Sequence, residues 1–199
     1  MSSNEEVDEE RRCFLRRATT TVGGIGLAAS TIPFISYWLP ARDVEAAGGP
    51  IEVDVSTLKP TEQLTVVWRG KPIWVIRRTQ AMLDSLPKLN NLLRDPNSEE
   101  DQQPSYAKNI YRSIKPEFFI AIGICTHLGC IPTYRPDVGG VSPDWLGGFY
   151  CPCHGSLYDL AGRVFKGVPA PKNLVIPPYQ YLSDTHVQIG QDKEGNTVD

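Results

Sequence analysis

The stretch Cys125-Thr126-His127-Leu128-Gly129-Cys130 has a counterpart a short way downstream, Cys151-Pro152-Cys153-His154-Gly155-Ser156. Four of the five cysteines lie in these two boxes, and the fifth, Cys13, sits near the N-terminus. A tight group of cysteines with histidines interleaved reads as a metal site before it reads as a disulfide scaffold. Each box follows an apolar or aromatic segment, 118–124 and 148–150, so each is expected as a loop at a strand end. Two such loops facing each other would make a two-lobed pocket.

Cys-x-His in one loop and Cys-x-x-His in the other is the pattern for Cys₂His₂ ligation of two irons. The thiolates of Cys125 and Cys151 would hold one iron, and the imidazoles of His127 and His154 the other. Two neutral imidazoles in place of thiolates make the cluster less negative, which raises its potential to about −150 to +300 mV. That range suits a quinol oxidant. Zinc also accepts Cys and His at such spacings. On the boxes alone, a zinc-stabilised, membrane-tethered binding module without redox function stays open. Cys130 and Cys153 remain, one in each loop, and a bond between them would tie the loops together.

The composition around the boxes points to a β protein. Glycine and proline each occur 17 times in 199 residues, which favours loops and turns over a helical bundle. Short apolar or alternating runs are expected as strands at 51–55, 64–68, 72–77, 118–124, 148–150, 163–165, 174–176, 179–182 and 185–189. Arg69-Gly70-Lys71 reads as a hairpin turn, and Thr79 as the cap of a short helix. The polar, proline-bounded 95–104 reads as a surface loop. Residues 51–199 are therefore expected as one antiparallel β-sandwich or barrel. A net charge of −3 gives no reason to expect nucleic acid as a partner. His186 belongs to neither box and is expected on a surface strand.

The N-terminus has a different character. Residues 1–17 carry five acids and four arginines, and residues 18–41 carry no charge at all. The run 18–40 is long enough to cross a bilayer as a helix, with Tyr37 and Trp38 at its outer end as interfacial aromatics. Its glycines suit packing against another membrane helix, and Pro33 would kink the helix or bend its exit. Four arginines precede the run and only Arg42 follows closely, so residues 1–17 are expected in the cytoplasm and the rest outside. A cleaved signal peptide is the alternative to a retained anchor. Arg11-Arg12-Cys13-Phe14-Leu15-Arg16 resembles a twin-arginine export signal, a route for proteins that fold around a cofactor before export. Cys13 occupies a variable position and reads as incidental. Residues 41–50, rich in Ala and ending in Gly48-Gly49-Pro50, read as a flexible tether.

The boxes CTHLGC and CPCHGS resemble those of Rieske proteins of the cytochrome bc complexes. The resemblance covers nearly the whole chain. It implies a Rieske-type 2Fe–2S cluster on Cys125, His127, Cys151 and His154, and a disulfide between Cys130 and Cys153. It implies that Ser156 and Tyr158 hydrogen-bond a bridging sulfide and a ligand thiolate. Gly129 and Gly155 leave room for backbone N–H groups to approach the sulfurs. Leu128 matches a loop-tip residue near the quinone pocket. Gly167-Val168-Pro169-Ala170-Pro171 is similar to the family's proline loop, with Val168 departing from its commoner form. The cluster-binding part would span about 120–171. Trp68-Arg69-Gly70-Lys71-Pro72, Arg77-Arg78-Thr79 and Pro177-Pro178-Tyr179 are similar to the bc1 branch, the bacterial ubiquinol–cytochrome c reductases. The b6f subunits lack the Trp-Arg-Gly-Lys-Pro segment, and Rieske oxygenases usually lack the extra cysteine pair. The small subunit of arsenite oxidase is the nearer rival.

From that resemblance follow the expected partners and role. The chain would be a single-pass protein of the bacterial inner membrane with a periplasmic Rieske domain. It would sit in a dimeric complex with cytochrome b and cytochrome c1. It would oxidise ubiquinol through exposed His127 and His154, pass the electron to cytochrome c1, and contribute to proton translocation.

Overall fold

The computed structural model describes residues 8–39 and 48–194. The chain divides into two compact units, Met1–Ala46 and Ala47–Asp199.

The first unit is built on helix α1, Glu9–Ser36. Asp8 caps it, accepting from the N–H groups of Glu10 and Arg11 at 3.1 Å each, and Glu9 and Glu10 complement the positive end of the helix. The helix therefore begins nine residues before the apolar run expected as the anchor, because backbone hydrogen bonding does not stop where charge begins. It also ends earlier, continuing through Pro33 and stopping at Ser36, so Tyr37 and Trp38 lie just beyond it. Along the apolar part, the hydroxyls of Thr19, Thr20, Ser30, Thr31 and Ser36 donate to carbonyls three or four residues back. These bonds satisfy the polar groups that dilute the segment, as a hydrocarbon environment requires. Its length and composition are sufficient to cross a membrane.

The second unit is made of three antiparallel sheets of three strands each. Strands β1 (Ile51–Asp54), β9 (His186–Ile189) and β8 (Tyr179–Tyr181) form one. Strands β2 (Gln63–Trp68), β3 (Lys71–Arg77) and β4 (Phe118–Ile122) form the second. Strands β5 (Thr133–Arg135), β6 (Gly148–Tyr150) and β7 (Leu157–Asp159) form the third, smaller one. The sheets share one apolar core and give the sandwich-like, mainly β architecture expected from the sequence. β3 and β4 are buried on both faces, which is why they read as continuous apolar runs rather than alternating ones. Phe149 of β6 stacks on Trp74 of β3 at 5.0 Å and meets Phe119 of β4 at 5.9 Å, so the small sheet is keyed to the larger one by aromatic contacts.

Local signals hold well. Trp68 pairs with Lys71, leaving Arg69 and Gly70 as a two-residue turn with φ of 48° and 70°. That is the hairpin geometry whose twist matches the flanking strands. Thr79 caps α2 (Gln80–Ser85), accepting from Met82 N–H at 3.3 Å, and the chain runs on as a 3₁₀ helix, Leu86–Leu92, with Pro87 in its first turn. His186 is exposed on β9, as expected.

Two expected strands are absent. Segment 163–165 makes only single bridges, Tyr158 to Val164 and Leu93 to Phe165. Segment 174–176 makes scattered bonds instead of a ladder: Leu174 N–H donates to the Gly162 carbonyl, the Val175 carbonyl accepts from Ile122 N–H at the end of β4, and Ile176 N–H donates to the Gln102 carbonyl. Conversely, β5 and β7 are strands that the sequence pattern does not mark; each pairs with β6.

Of the expected tether, residues 41–47 lie outside the described residues. Its end is attached to the body: Trp68 Nε1–H donates to the Gly49 carbonyl and Arg69 Nε–H to that of Gly48, both at 2.9 Å.

Candidate metal centre

Box one joins β4 to β5, and box two joins β6 to β7. Both fold into the same turn. In the first, Cys125 N–H donates to the Cys130 carbonyl and the Cys125 carbonyl accepts from Gly129 N–H. In the second, Cys151 N–H donates to the Ser156 carbonyl and the Cys151 carbonyl accepts from Gly155 N–H. Gly129 and Gly155 hold φ of 82° and 76°, so each closes its turn in the left-handed region that favours glycine. Their N–H groups are engaged by these carbonyls. That gives the two glycines a conformational reason beside the close-approach one read from the sequence.

The repeated turns bring the chemistry-bearing side chains together. Cys125 and Cys151 are buried at 2% and 1% exposure. The rings of His127 and His154 meet edge to face with centroids 4.8 Å apart. His154 is exposed and His127 half-buried. A disulfide joins Cys130 to Cys153, closing the two loops over one another with Cα atoms 6.7 Å apart. Leu128, at the tip of box one, is 70% exposed.

A third segment completes the enclosure. Ala170 N–H donates to Ser156 Oγ at 3.0 Å, and Thr126 Oγ1–H donates to the Lys172 carbonyl at 2.7 Å. The 167–171 loop is thus tied to box two, and its continuation to box one. Val168 packs against the core, while Pro169 and Pro171 face outward.

Tyr158 of β7 packs its phenol against box one. Its hydroxyl lies 3.2 Å from Cys125 Sγ and 3.1 Å from Thr126 Oγ1, and it accepts from Thr126 N–H at 3.1 Å. The Thr126 hydroxyl proton is committed to Lys172, so any bond between the two hydroxyls, like one to a Cys125 thiolate, is donated by Tyr158. Burial, then the neighbouring Cys125, pushes the phenol's pKa well above its usual value, so it remains protonated and able to donate. Ser156 is fully buried and already accepts from Ala170, which leaves its own proton for another acceptor. Burial, and the Cys125 thiol after it, raise the Cys151 thiol above its ordinary value, so a metal bound there would displace a proton.

The donor set fits a [2Fe–2S] group. Two buried sulfurs stand with two imidazoles, and His127 Nδ1 is buried with no hydrogen-bond partner, as a nitrogen kept for a metal would be. Zinc fits less well. Bonds of about 2.0–2.3 Å in a tetrahedron bring ligand atoms to within about 3.8 Å of one another. Among the described residues, the only three or more metal-capable atoms within 4.8 Å of one another are those of Cys130, Cys151 and Cys153. Two of those sulfurs are spent in the disulfide. The four cysteine and histidine candidates are spread more widely than one zinc ion allows.

Sequence reasoning missed several neighbours of the site. Thr126 carries no signal in the sequence, although its side chain touches both Tyr158 and Lys172. Asp159, Arg163, Arg112 and Arg78, all buried behind box two, were missed as a group. Arg78 stands out in the sequence only within the Arg77-Arg78-Thr79 segment. A lone charged residue gives no sequence signal of burial.

Comparison with known proteins agrees with this geometry. Residues 99–180 match the Rieske [2Fe-2S] domain, which defines the class of the fold and its cofactor. Residues 1–41 match the "Ubiquitinol-cytochrome C reductase Fe-S subunit TAT signal". The chain is 53% identical over 193 residues to the ubiquinol-cytochrome c reductase iron-sulfur subunit of Allochromatium vinosum, covering 96% of this chain and 93% of that one. It is 44% identical to the subunit of the same description from Bradyrhizobium diazoefficiens, over 90% of this chain and 94% of the other. A chain of a solved "Hyperthermophilic respiratory Complex III" aligns with TM-score 0.50 and 26% identity, over 86% of this chain and 98% of that one. The chain belongs to the family of ubiquinol–cytochrome c reductase iron–sulfur subunits.

Proposed function

We propose that this subunit takes one electron at a time from ubiquinol, at a site shared with cytochrome b, and delivers it to cytochrome c1. The observation that carries the reading is the pairing of two imidazoles at the mouth of the pocket, His154 exposed and His127 with its Nδ1 buried and unpartnered. Cys125 and Cys151 would hold one iron, and His127 and His154 the other. The cluster supplies a one-electron couple in the high range that imidazole ligation gives. The exposed imidazole accepts a hydrogen bond from the quinol hydroxyl and takes its proton at the outer ring nitrogen. Leu128 offers an apolar contact for the quinone ring beside it. Twin-arginine export and α1 support a domain on the periplasmic side of the bacterial inner membrane, anchored once with its N-terminus in the cytoplasm. Within a dimeric complex, releasing quinol protons on that side would contribute to proton translocation.

With the cluster in place, Ser156 and Tyr158 would donate to the sulfur-rich end of the site, Tyr158 from its position 3.2 Å from Cys125 Sγ. Such bonds favour the more electron-rich state and so raise the midpoint potential. Ser156→Ala and Tyr158→Phe are each expected to lower the potential in a redox titration of membranes. Quinol–cytochrome c reductase turnover should fall in step, because the driving force for quinol oxidation shrinks. A lowered potential with undiminished turnover would contradict the quinol-oxidising role, and an unchanged potential the tuning role.

The expected tether would serve as the pivot on which the domain travels between its two partners, ahead of the Gly48-Gly49 end that is bonded to the body. Proline substitutions across 45–49 are expected to slow turnover while leaving the cluster's spectrum intact. Undiminished turnover in these variants would rule out the travelling domain.

A further inference from the structure

We propose that the buried Asp159–Arg163 ion pair is a positioning device for electron transfer, holding the turn after β7 so that the Tyr158 hydroxyl stays on Cys125 Sγ. The inference rests on the reading that Tyr158 tunes the centre.

Asp159 directly follows Tyr158 on a strand, so the two side chains leave on opposite faces. Tyr158 reaches the site, and Asp159 reaches the buried interior behind it. Its carboxylate is fully used. Oδ1 accepts from the N–H groups of Ala161 and Arg163 at 2.9 and 2.8 Å, which closes the turn. Oδ2 takes the Arg163 fork, Nε at 2.8 Å and Nη2 at 2.7 Å, with neither side chain exposed. The same guanidinium donates to the Leu86 and Pro96 carbonyls and to Asn90 Oδ1, so the turn is fastened to the body as well as to itself.

Two more guanidiniums hold the rest of the turn. Arg78 donates to the Leu160 carbonyl, and Arg112 to those of Ala161 and Gly162. Burial lowers Arg78 to about 10 and Arg112 to about 9, both still cationic at neutral pH. Three buried cations around one buried carboxylate is a poor arrangement for stability alone, since desolvation offsets most of the attraction. It does fix geometry. The backbone bonds Leu157 O to Phe165 N–H and Asp159 N–H to Arg163 O flank Tyr158 on either side, so movement of the turn carries directly to the 3.2 Å contact with Cys125.

The sign of the effect separates positioning from plain electrostatics. Asp159→Asn removes a negative charge, and by Coulomb's law alone that stabilises the reduced centre and raises the potential. Loss of the Tyr158 bond lowers it. The test is a redox titration of the complex in membranes for Asp159→Asn, Arg163→Lys, Tyr158→Phe and the double variant Asp159→Asn/Tyr158→Phe. Resonance Raman of the iron–thiolate stretches reads the hydrogen bond itself. We expect the potential to fall in Asp159→Asn, and also in Arg163→Lys, which keeps the charge and loses the fork. The double variant should sit no lower than Tyr158→Phe alone, and the single variants should reproduce its shift of the thiolate stretch. Raised or unchanged potentials with unshifted stretches, or a fully additive double variant, would overturn the proposal. Shifted stretches with no change of potential in Tyr158→Phe would overturn the tuning reading and leave the positioning role standing. If Asp159→Asn assembles no centre, Arg163→Lys carries both readouts.

Discussion

Cys130→Ser is expected to abolish the iron–sulfur signal and quinol–cytochrome c reductase turnover while leaving most of the β structure in place. The disulfide closes a chain segment with a sequence separation of 23, and cross-linking a loop of that size restricts the unfolded ensemble by about 3 kcal/mol. The effect is concentrated where the bond lies. Cys130 and Cys153 are the covalent link between the two boxes. Without it they are linked by noncovalent contacts: the β5–β6 pairing at their bases, the bonds around Tyr158 and the 167–172 segment. The aromatic contacts of Phe149 lie deeper, between the sheets, and do not depend on the disulfide. Circular dichroism and iron content of the purified variant check this together. A full complement of iron in Cys130→Ser would show that the loops are preorganised without the bond.

The second large effect is on stability. Arg163→Ala leaves the Asp159 carboxylate buried without its cation and strips the Leu86 and Pro96 carbonyls of a donor. Removing one partner of a buried pair costs about 3–5 kcal/mol. For a body of this size that corresponds to a fall of about 10 °C in melting temperature. Thermal unfolding of the detergent-solubilised chain measures it, with Arg135→Ala as a surface control, since Arg135 and Asp137 form an exposed pair at 3.8 Å. Equal effects of the two substitutions would mean that the buried pair carries no special weight.

The parts legible in the sequence were those with a short-range cause. The boxes announced themselves because ligand chemistry demands cysteine and histidine at fixed spacing. The Arg69-Gly70 turn and the Thr79 cap were readable because turn and cap geometry select residue types directly. The strand content was mostly readable from β-branched and aromatic runs. What escaped was set by tertiary partners. Val164 and Leu174 look like strand residues, yet their backbone groups go to the Asn173 side chain and the Gly162 carbonyl, so no ladder forms there. β5 and β7 exist because Phe149 between them is locked against Trp74, a contact invisible in a three-residue window. At the site itself, the four candidate ligands, Ser156 and Tyr158 were named from the sequence. The guanidiniums behind them were not, because an arginine's burial depends on carbonyls supplied from distant segments.

A redox-active two-iron centre with mixed sulfur and nitrogen ligation, on Cys125, His127, Cys151 and His154, has a direct spectroscopic signature. Electron paramagnetic resonance of the ascorbate-reduced complex, with nitrogen hyperfine couplings resolved, tests it most directly. The expected spectrum is that of a one-electron-reduced iron pair coupled to two imidazole nitrogens, one of which disappears in His154→Cys. A silent spectrum from protein carrying stoichiometric zinc, or an iron signal with no nitrogen coupling, would contradict it.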